Sequence, residues 1–471
     1  MPFFLKNRQK QFKRYGLEET LLYYGLRRLC MDYYSEYRSK LCTAQEAVKV
    51  IKSGDWVDYT TATAKPVLLD RALAARRDEL TDVKVRGNLM DGPLEIVECD
   101  PEQKHFTYHS WHCSSYERKL CDRGLCYYTP MVFHNMTAYY HFFIDVDVAM
   151  ISLPPMDRHG YFNFSINTGT SAEILRRAKT VIVEINENLP KVRGGYDDCV
   201  HISDIDYIVE GYHEPFKERP KHEITDEERS IMEHILPYIR NGSTIQIGVG
   251  GMPDAVGTLL AQSDLHDLGM HTELCGDAYL KLFEAGKLTN KYKTINREKN
   301  VLGFAIGSPA LYDWLDDNPS VKAYPLEYVN KPEVIGQIDN MVSINSCISV
   351  DLFGQVSAES VGTRQISGTG GQLDFLEGAS ISRGGRSFIC LNSTYTDKRG
   401  VRHSCIVPVF SGEIITSPRS QVYFIATEYG VVNLEGASSW ERAERLISIA
   451  HPDYRDRLIR EAEKLRIWRR R

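Results

Sequence analysis

Apolar and polar positions along this chain fall in blocks that switch between the period of a helix and that of a strand. Thr244, Ile245 and Ile247 form a short apolar run just after the turn pair Asn241-Gly242, which predicts a buried strand. Gly248, Gly250 and Gly251 follow at once, then Pro253, tolerated in a first helical turn where its missing N–H would have no partner. Ala255, Val256, Leu259 and Leu260 continue at helical spacing. A second strand is predicted over Gly269 to Leu274, with Glu273 close to its end. Asp277 is placed to cap the next helix and Gly286 to stop it. Strand, glycine turn, helix, strand and helix imply two parallel strands. Ligands of open parallel sheets bind beyond the carboxyl ends of the strands, where both the glycine turn and Glu273 fall.

The same patterning runs through the rest of the chain. Residues 17 to 40, with Leu21, Leu22, Leu26, Leu29 and Cys30, predict an amphipathic helix on the outside of a first domain or across a subunit boundary. Thr43 and Glu46 form a capping-box pattern ahead of a helix to Lys52. A strand over Asp55 to Tyr59 and a helix near Pro66 to Ala75 follow. His141 to Leu153 reads as one sheet strand; a helix at Ser171 to Arg177 and a strand at Thr180 to Ile185 complete another unit. Between Tyr212 and Glu223 the text HEPFKERPKHE, with two prolines and mixed charge, marks a linker. Thr225 and Glu228 then open a second capped helix. Asn340 to Val350 and Ser387 to Leu391 are β-rich, and the tail from Ser438 is helical with one break at Pro452. The expected organisation is α/β: a helical extension over 1–36, an N-terminal domain over 37–215 and a C-terminal domain over 225–471. The halves share an α/β character, which makes a duplicated fold plausible, though no clean sequence repeat proves it.

Composition adds exclusions. With 471 residues, 42% hydrophobic and 25% charged, the chain has material for two or more ordinary globular domains. A net charge of −6 gives no general attraction to nucleic acid or an anionic membrane. No apolar run approaches the ~20 residues of a membrane helix. The basic start MPFFLKNRQKQFKRYG has too short an apolar part for a signal peptide and lacks the serines of a transit peptide. The eleven cysteines contain no C-x-x-C pair and read as reduced thiols of a cytoplasmic protein.

Candidate chemistry concentrates at a few places. Glu273 sits among Met270, Leu274 and Cys275, where a carboxylate is costly unless paired. It is either a nucleophile toward an activated carbonyl or a strand-end glutamate reaching solvent or an arginine. The turn Gly248-Val249-Gly250-Gly251 presents N–H groups and a helix N-terminus to phosphate or carboxylate, or is simply a tight turn needing positive φ. It fails as a dinucleotide fingerprint: the third glycine is absent and Asp254 would oppose a pyrophosphate. Gly368-Thr369-Gly370-Gly371 offers donors to an oxyanion, unless it is a surface loop; Leu373, Phe375 and Leu376 tether it to a core. His112, Cys113, Cys121, Cys126 and His134 do not form paired ligand hooks, so no metal is expected. Ser360 and Ser367 lack the nucleophile elbow of a serine hydrolase. Lys398, Arg399 and Arg402 form a basic loop, either a solvated turn or a contact for a polyanionic tail.

Five motifs taken together, IQIGVGGMPDAV, GMHTELCGDA, NMVSINSCISVDLFGQV, SGTGGQLDFLEGA and TEYGVVNLEG, resemble the acetyl-CoA hydrolase/transferase family. Within it they look nearest to the 4-hydroxybutyrate and butyrate:acetate coenzyme A transferases. LPPMDRHGYFNFSI and AKTVIVEINENLP are similar to the family's first domain, and the likeness runs from about Tyr37 to about Arg457. The resemblance implies two NagB/RpiA-like α/β domains in tandem, ping-pong transfer, and acyl-CoA and a carboxylate as substrates rather than a resident cofactor. It further implies a homo-oligomer, a dimer or larger. The family's H-[ST]-E nucleophile matches His271-Thr272-Glu273; Glu273 would pass through an acyl-glutamyl anhydride to a glutamyl-CoA thioester. The family's CoA loop matches Gly250, Gly251, Met252, Pro253 and Asp254, preceded by Gly248. Its backbone oxyanion and CoA contacts match Ile348 and Gly371, next to Gly370, and Lys398 falls near a position that meets CoA phosphates. A hydrolase on the same scaffold and a non-catalytic CoA-binding protein are the alternatives. Three departures bear on substrate: Asp277-Ala278 in place of Asp-Gly, the first 36 or so residues, and the cysteine-rich Cys113 to Cys126 region.

Overall fold

Two parallel sheets carry the protein, built from runs in which nearly every position is covered. The computed structural model describes residues 33–61, 64–213, 215–216, 223–248 and 251–469. The first sheet takes β1 (Trp56–Thr61), β2 (Val83–Asn88), β3 (Phe106–Ser110), β4 (Tyr127–Tyr128), β5 (Val148–Leu153), β6 (Thr180–Ile185) and β7 (Tyr207–Val209). Their order is β4-β3-β2-β1-β5-β6-β7, all parallel. β5, reading VAMISL, is buried at every position, as a parallel strand covered on both faces must be.

The second sheet takes β8 (Thr244–Ile247), β9 (Gly269–Cys275), β10 (Asn300–Ala305), β11 (Val321–Ala323), β12 (Met341–Ser346), β13 (Arg386–Cys390), β14 (Phe424–Thr427) and β15 (Gly430–Asn433). Its order is β11-β10-β9-β8-β12-β13-β14-β15, parallel except for the terminal β14–β15 hairpin. Counted from its own first strand, each sheet runs 4-3-2-1-5-6-7, so the architecture is duplicated, with one extra edge strand in the second copy. The winding direction reverses between β8 and β12, and such a switch point opens a crevice at the carboxyl ends of the strands. Gly248 ends β8 there, and Glu273 stands on the neighbouring β9. The halves are packed together: Leu274, Phe304 and Leu326 belong to the same buried cluster as Trp111, Phe133 and Phe162.

Several local expectations change. His141 to Leu153 is not one strand: a helix spans Met136–Phe142 and β5 begins only at Val148. Phe142 and Phe143, 68% and 79% exposed, end that helix at the surface, so apolar character there does not mean a sheet interior. The Thr43–Glu46 capping box forms, but the helix Ala44–Ala47 tightens into a 3₁₀ turn over Val48–Val50. Gly276, not Asp277, holds the cap position before Asp277–Glu284. The Asp277 carboxylate instead accepts from Ser308 Oγ at 2.6 Å, tying this helix to the next loop. Gly286, at φ +68°, ends the helix as its type allows. Ala278 lies where Gly257 of the helix Gly251–Gln262 has no side chain; a Cβ on Gly257 would stand 2.5 Å from that of Ala278. Asn340 to Val350 divides into β12 and a strand Ser349–Asp351 of a separate three-stranded sheet. Of the predicted N-terminal helix, 17–32 lies outside the described residues; Tyr33–Lys40 is helical and sits on the first half, with Lys40 Nζ donating to the Ile202 carbonyl at 2.7 Å.

Candidate active site

β9 is buried along its whole length, which forces Glu273 into the interior two residues before the strand ends. The side chain is 8% exposed. Its Oε2 accepts a 2.7 Å hydrogen bond from Asn330 Nδ2, and the Gly371 N–H donates to the same carboxylate. Asn330 uses its second hydrogen on Asp374 Oδ2 at 3.1 Å, and Asp374 Oδ1 is 2.6 Å from His134 Nδ1. A chain of four polar side chains thus runs from a half-buried histidine of the first half to the buried carboxylate of the second.

Burial penalises the ionised form of Glu273 and, with the nearby Asp374 charge, outweighs the Asn330 and Gly371 hydrogen bonds; its carboxyl is pushed up to about 7. Burial likewise raises Asp374, whereas the Asp374 hydrogen bond raises His134. For Glu273 the folded value exceeds the unfolded one. Stability is therefore full below the unfolded value of about 4.5 and declines as pH rises toward 7. Glu273→Gln is expected to stabilise the protein at pH 8 by about 1–3 kcal/mol, read by thermal or denaturant unfolding, with little gain at pH 4.

The loop over Glu273 is held by the opposite half. Val132 bridges to Gly370, and the Phe133 N–H donates to the Gly370 carbonyl at 3.2 Å. His112 Nε2 lies 3.0 Å from Ser367 Oγ, and Arg118 Nε donates to the Ile366 carbonyl at 2.8 Å. Tyr128 OH and Thr369 Oγ1 both donate to Glu359 Oε2, at 3.1 and 3.0 Å. Gly370 needs its φ of +57° for this path. Gly371 is restricted by space: a Cβ there would stand 1.9 Å from Glu273 Oε2 and 2.0 Å from Asn330 Nδ2.

His271 works from beneath. Its Nε2–H donates to the Val329 carbonyl at 2.8 Å and so fixes the backbone that carries Asn330. Burial, helped by Lys293, drops its imidazole to about 3, so it is a neutral positioning residue and not a base.

The other sequence candidates are placed unequally. Gly248 abuts Asn345 of β12, whose side chain is in a buried network with Gln246 and Ser343. Gly250 lies outside the described residues; Gly251, Met252, Pro253 and Asp254 form the first turn of the helix Gly251–Gln262. The Ile348 N–H is already engaged, donating to the Ser357 carbonyl at 2.9 Å, so as an oxyanion donor it would first have to leave that partner. Lys398 is exposed in the turn between Thr394–Thr396 and Arg402–Ser404. Asn330, Asp374 and His134 were not among the sequence candidates for this chemistry. Asp374, a carboxylate between Leu373 and Phe375, carried the same signal as Glu273; Asn330, in a turn before Lys331-Pro332, carried none.

A buried carboxylate beneath the Gly370-Gly371 loop, on a doubly wound repeat, defines an α/β enzyme scaffold with a composite site. The chain belongs to the acetyl-CoA hydrolase/transferase family, whose N-terminal domain matches residues 27–216 and whose C-terminal domain matches 307–462. It is 48% identical over 443 residues to the butyryl-CoA:acetate CoA-transferase of Anaerostipes caccae, covering 93% of this chain and 99% of that protein. It is 38% identical to the 4-hydroxybutyrate coenzyme A transferase of Clostridium kluyveri, over 92% of this chain and 100% of that one. The crystal structure of RipA from Yersinia pestis superposes with a TM-score of 0.86 at 37% identity, covering 93% of this chain and all of that one. Among the described residues, no helix is long and apolar enough to cross a membrane.

Proposed function

We propose that this chain moves CoA between a short-chain acyl-CoA, of butyryl or 4-hydroxybutyryl type, and acetate or another carboxylate, through a glutamyl-CoA thioester on Glu273. The observation that carries the reading is the buried Glu273 carboxylate held by the Asn330 amide and the Gly371 N–H. The names of the transferase relatives support the substrate class.

In the first step a Glu273 carboxylate oxygen attacks the thioester carbonyl, and the C–S bond breaks to release CoA thiolate and leave an acyl-glutamyl anhydride. The thiolate then attacks the glutamyl carbonyl; the acyl carboxylate leaves and a glutamyl-CoA thioester remains. An incoming carboxylate reverses both steps, and no proton is consumed overall. Each tetrahedral intermediate carries an oxyanion, for which Gly371 N–H and Asn330 Nδ2 are the donors at hand. Near-complete burial of Glu273 excludes the water that would hydrolyse the anhydride. Gly248 and the first turn of Gly251–Gln262 are the proposed cradle for the anionic CoA, with Lys398 proposed to meet its phosphates.

Attack requires ionised Glu273. The value of kcat/KM for acyl-CoA is therefore expected to rise with pH and level off above about 7. Asp374→Asn, which removes a raising charge, should move that midpoint down; Asn330→Ala, which removes a lowering hydrogen bond, should move it up. Stopped assays across pH 5–9 read both shifts.

The functional test is a panel of acyl-CoA donors with acetate. The reading predicts acetyl-CoA and free acid in equal amounts, and no free thiol when the carboxylate is omitted. Thiol release without an acceptor would make the protein a hydrolase, and no turnover with any donor would remove the transferase assignment.

A further inference from the structure

The segment linking β3 to β4 brings three thiols together. Cys113 precedes the helix Ser115–Asp122, Cys121 lies in its last turn, and Cys126 follows the turn at Gly124. The helix is fixed at its start by the Ser114–Glu117 capping box, and its end folds back through a 2.8 Å bond from the Leu125 N–H to the Leu120 carbonyl. The sequence spacing hides the result, because the three positions are not a paired hook. In space their Sγ atoms all lie within 4.8 Å of one another.

We propose that Cys113, Cys121 and Cys126 form a three-thiolate site for a zinc-like divalent cation. The Cys113 and Cys121 sulfurs are 3.8 Å apart. Two sulfurs sharing a tetrahedral ion at about 2.3 Å stand about 3.8 Å apart, whereas a disulfide would need about 2.0 Å. Cys113 and Cys126 are 3% and 7% exposed, and Cys121 is half-buried, which leaves one side of the cluster for ion entry and a fourth, non-protein ligand. Three soft sulfur donors select zinc-like ions over magnesium or calcium. Binding converts three thiols to thiolates and releases three protons to solvent, leaving a site of net charge −1 with a divalent ion.

The same segment supports the loop over Glu273. The Cys113 N–H donates to the Ser367 carbonyl at 3.3 Å, Arg118 donates to Ile366, and Asp122 receives Arg364 Nε and Nη2 at 2.6 and 2.7 Å. Loading the site thus staples the platform on which Gly370 and Gly371 rest, without placing the ion among the reacting groups.

The test uses the full chain, reduced and stripped with a chelator, then titrated with Co²⁺. One equivalent is expected to produce a saturable sulfur-to-cobalt charge-transfer band, displaced by Zn²⁺. Cys121→Ser should weaken binding on the order of 100-fold or more. Zinc should also shield Cys121 of the unsubstituted protein from alkylation, read by peptide mass, while Cys99 and Cys199 stay reactive. This second readout needs no variant to fold. No saturable band, a band unchanged by Cys121→Ser, equal alkylation with and without zinc, or a cluster that only oxidises to a disulfide would each overturn the proposal.

Discussion

Glu273→Ala is expected to lower CoA transfer on the order of 10⁴-fold or more, the scale seen when a covalent nucleophile is removed. The side chain would supply the bond that links donor and acceptor half-reactions, and the nearby carboxylate of Asp374 is already engaged by His134 and Asn330. Glu273→Gln should be equally inactive yet more stable at alkaline pH, since it keeps the shape and loses the buried charge. Steady-state rates with butyryl-CoA and acetate, beside unfolding curves, separate the two effects. A Glu273→Ala variant that retains transfer within tenfold would place the chemistry elsewhere.

Gly371→Ala is expected to cost about 10²- to 10³-fold in kcat, the effect of removing one oxyanion donor. One methyl group is enough because its carbon would fall 1.9 Å from Glu273 Oε2 and 2.0 Å from Asn330 Nδ2, inside any allowed contact. Both atoms are side-chain ends, so either they swing away or the loop lifts, while β9 and the backbone that His271 holds beneath Asn330 stay in place. Either movement parts the Gly371 N–H from the carboxylate, and a lifted loop also strains the Phe133–Gly370 contact between the halves. Gly368→Ala meets the Trp111 carbonyl and the His112 backbone and is expected to disturb folding more than chemistry. A lowered kcat with intact folding for Gly371→Ala, and a lowered melting temperature for Gly368→Ala, are the outcomes to compare.

The sequence exposed those parts of the site whose physics is local. A glutamate among Met270, Leu274 and Cys275 is anomalous wherever it occurs, and a glycine cluster between a strand and a helix has few uses. Asp374 carried the same anomaly, but its partner His134 is 240 residues away in the chain, and nothing in local spacing predicts that pairing. Asn330 left no mark because an asparagine beside a proline turn is ordinary; its meaning comes from the strand it faces. The shared α/β character of the halves points to a duplicated fold, but the strand order itself leaves no mark, since parallel strands ask only for apolar runs and the two halves meet that demand with different residues. The exposed Phe142 and Phe143 show the reverse case, an apolar signal that a helix end left at the surface. The three-cysteine cluster makes the same point, because a helix and a turn bring together thiols that sequence separation keeps apart.

The most direct measurement is the mass of the peptide containing Glu273 after the protein is mixed with butyryl-CoA, without a carboxylate acceptor, and quenched in acid. The account predicts a CoA adduct on that peptide alone, lost on adding acetate before the quench. An unmodified Glu273 peptide during turnover, or an adduct on a different side chain, would contradict it.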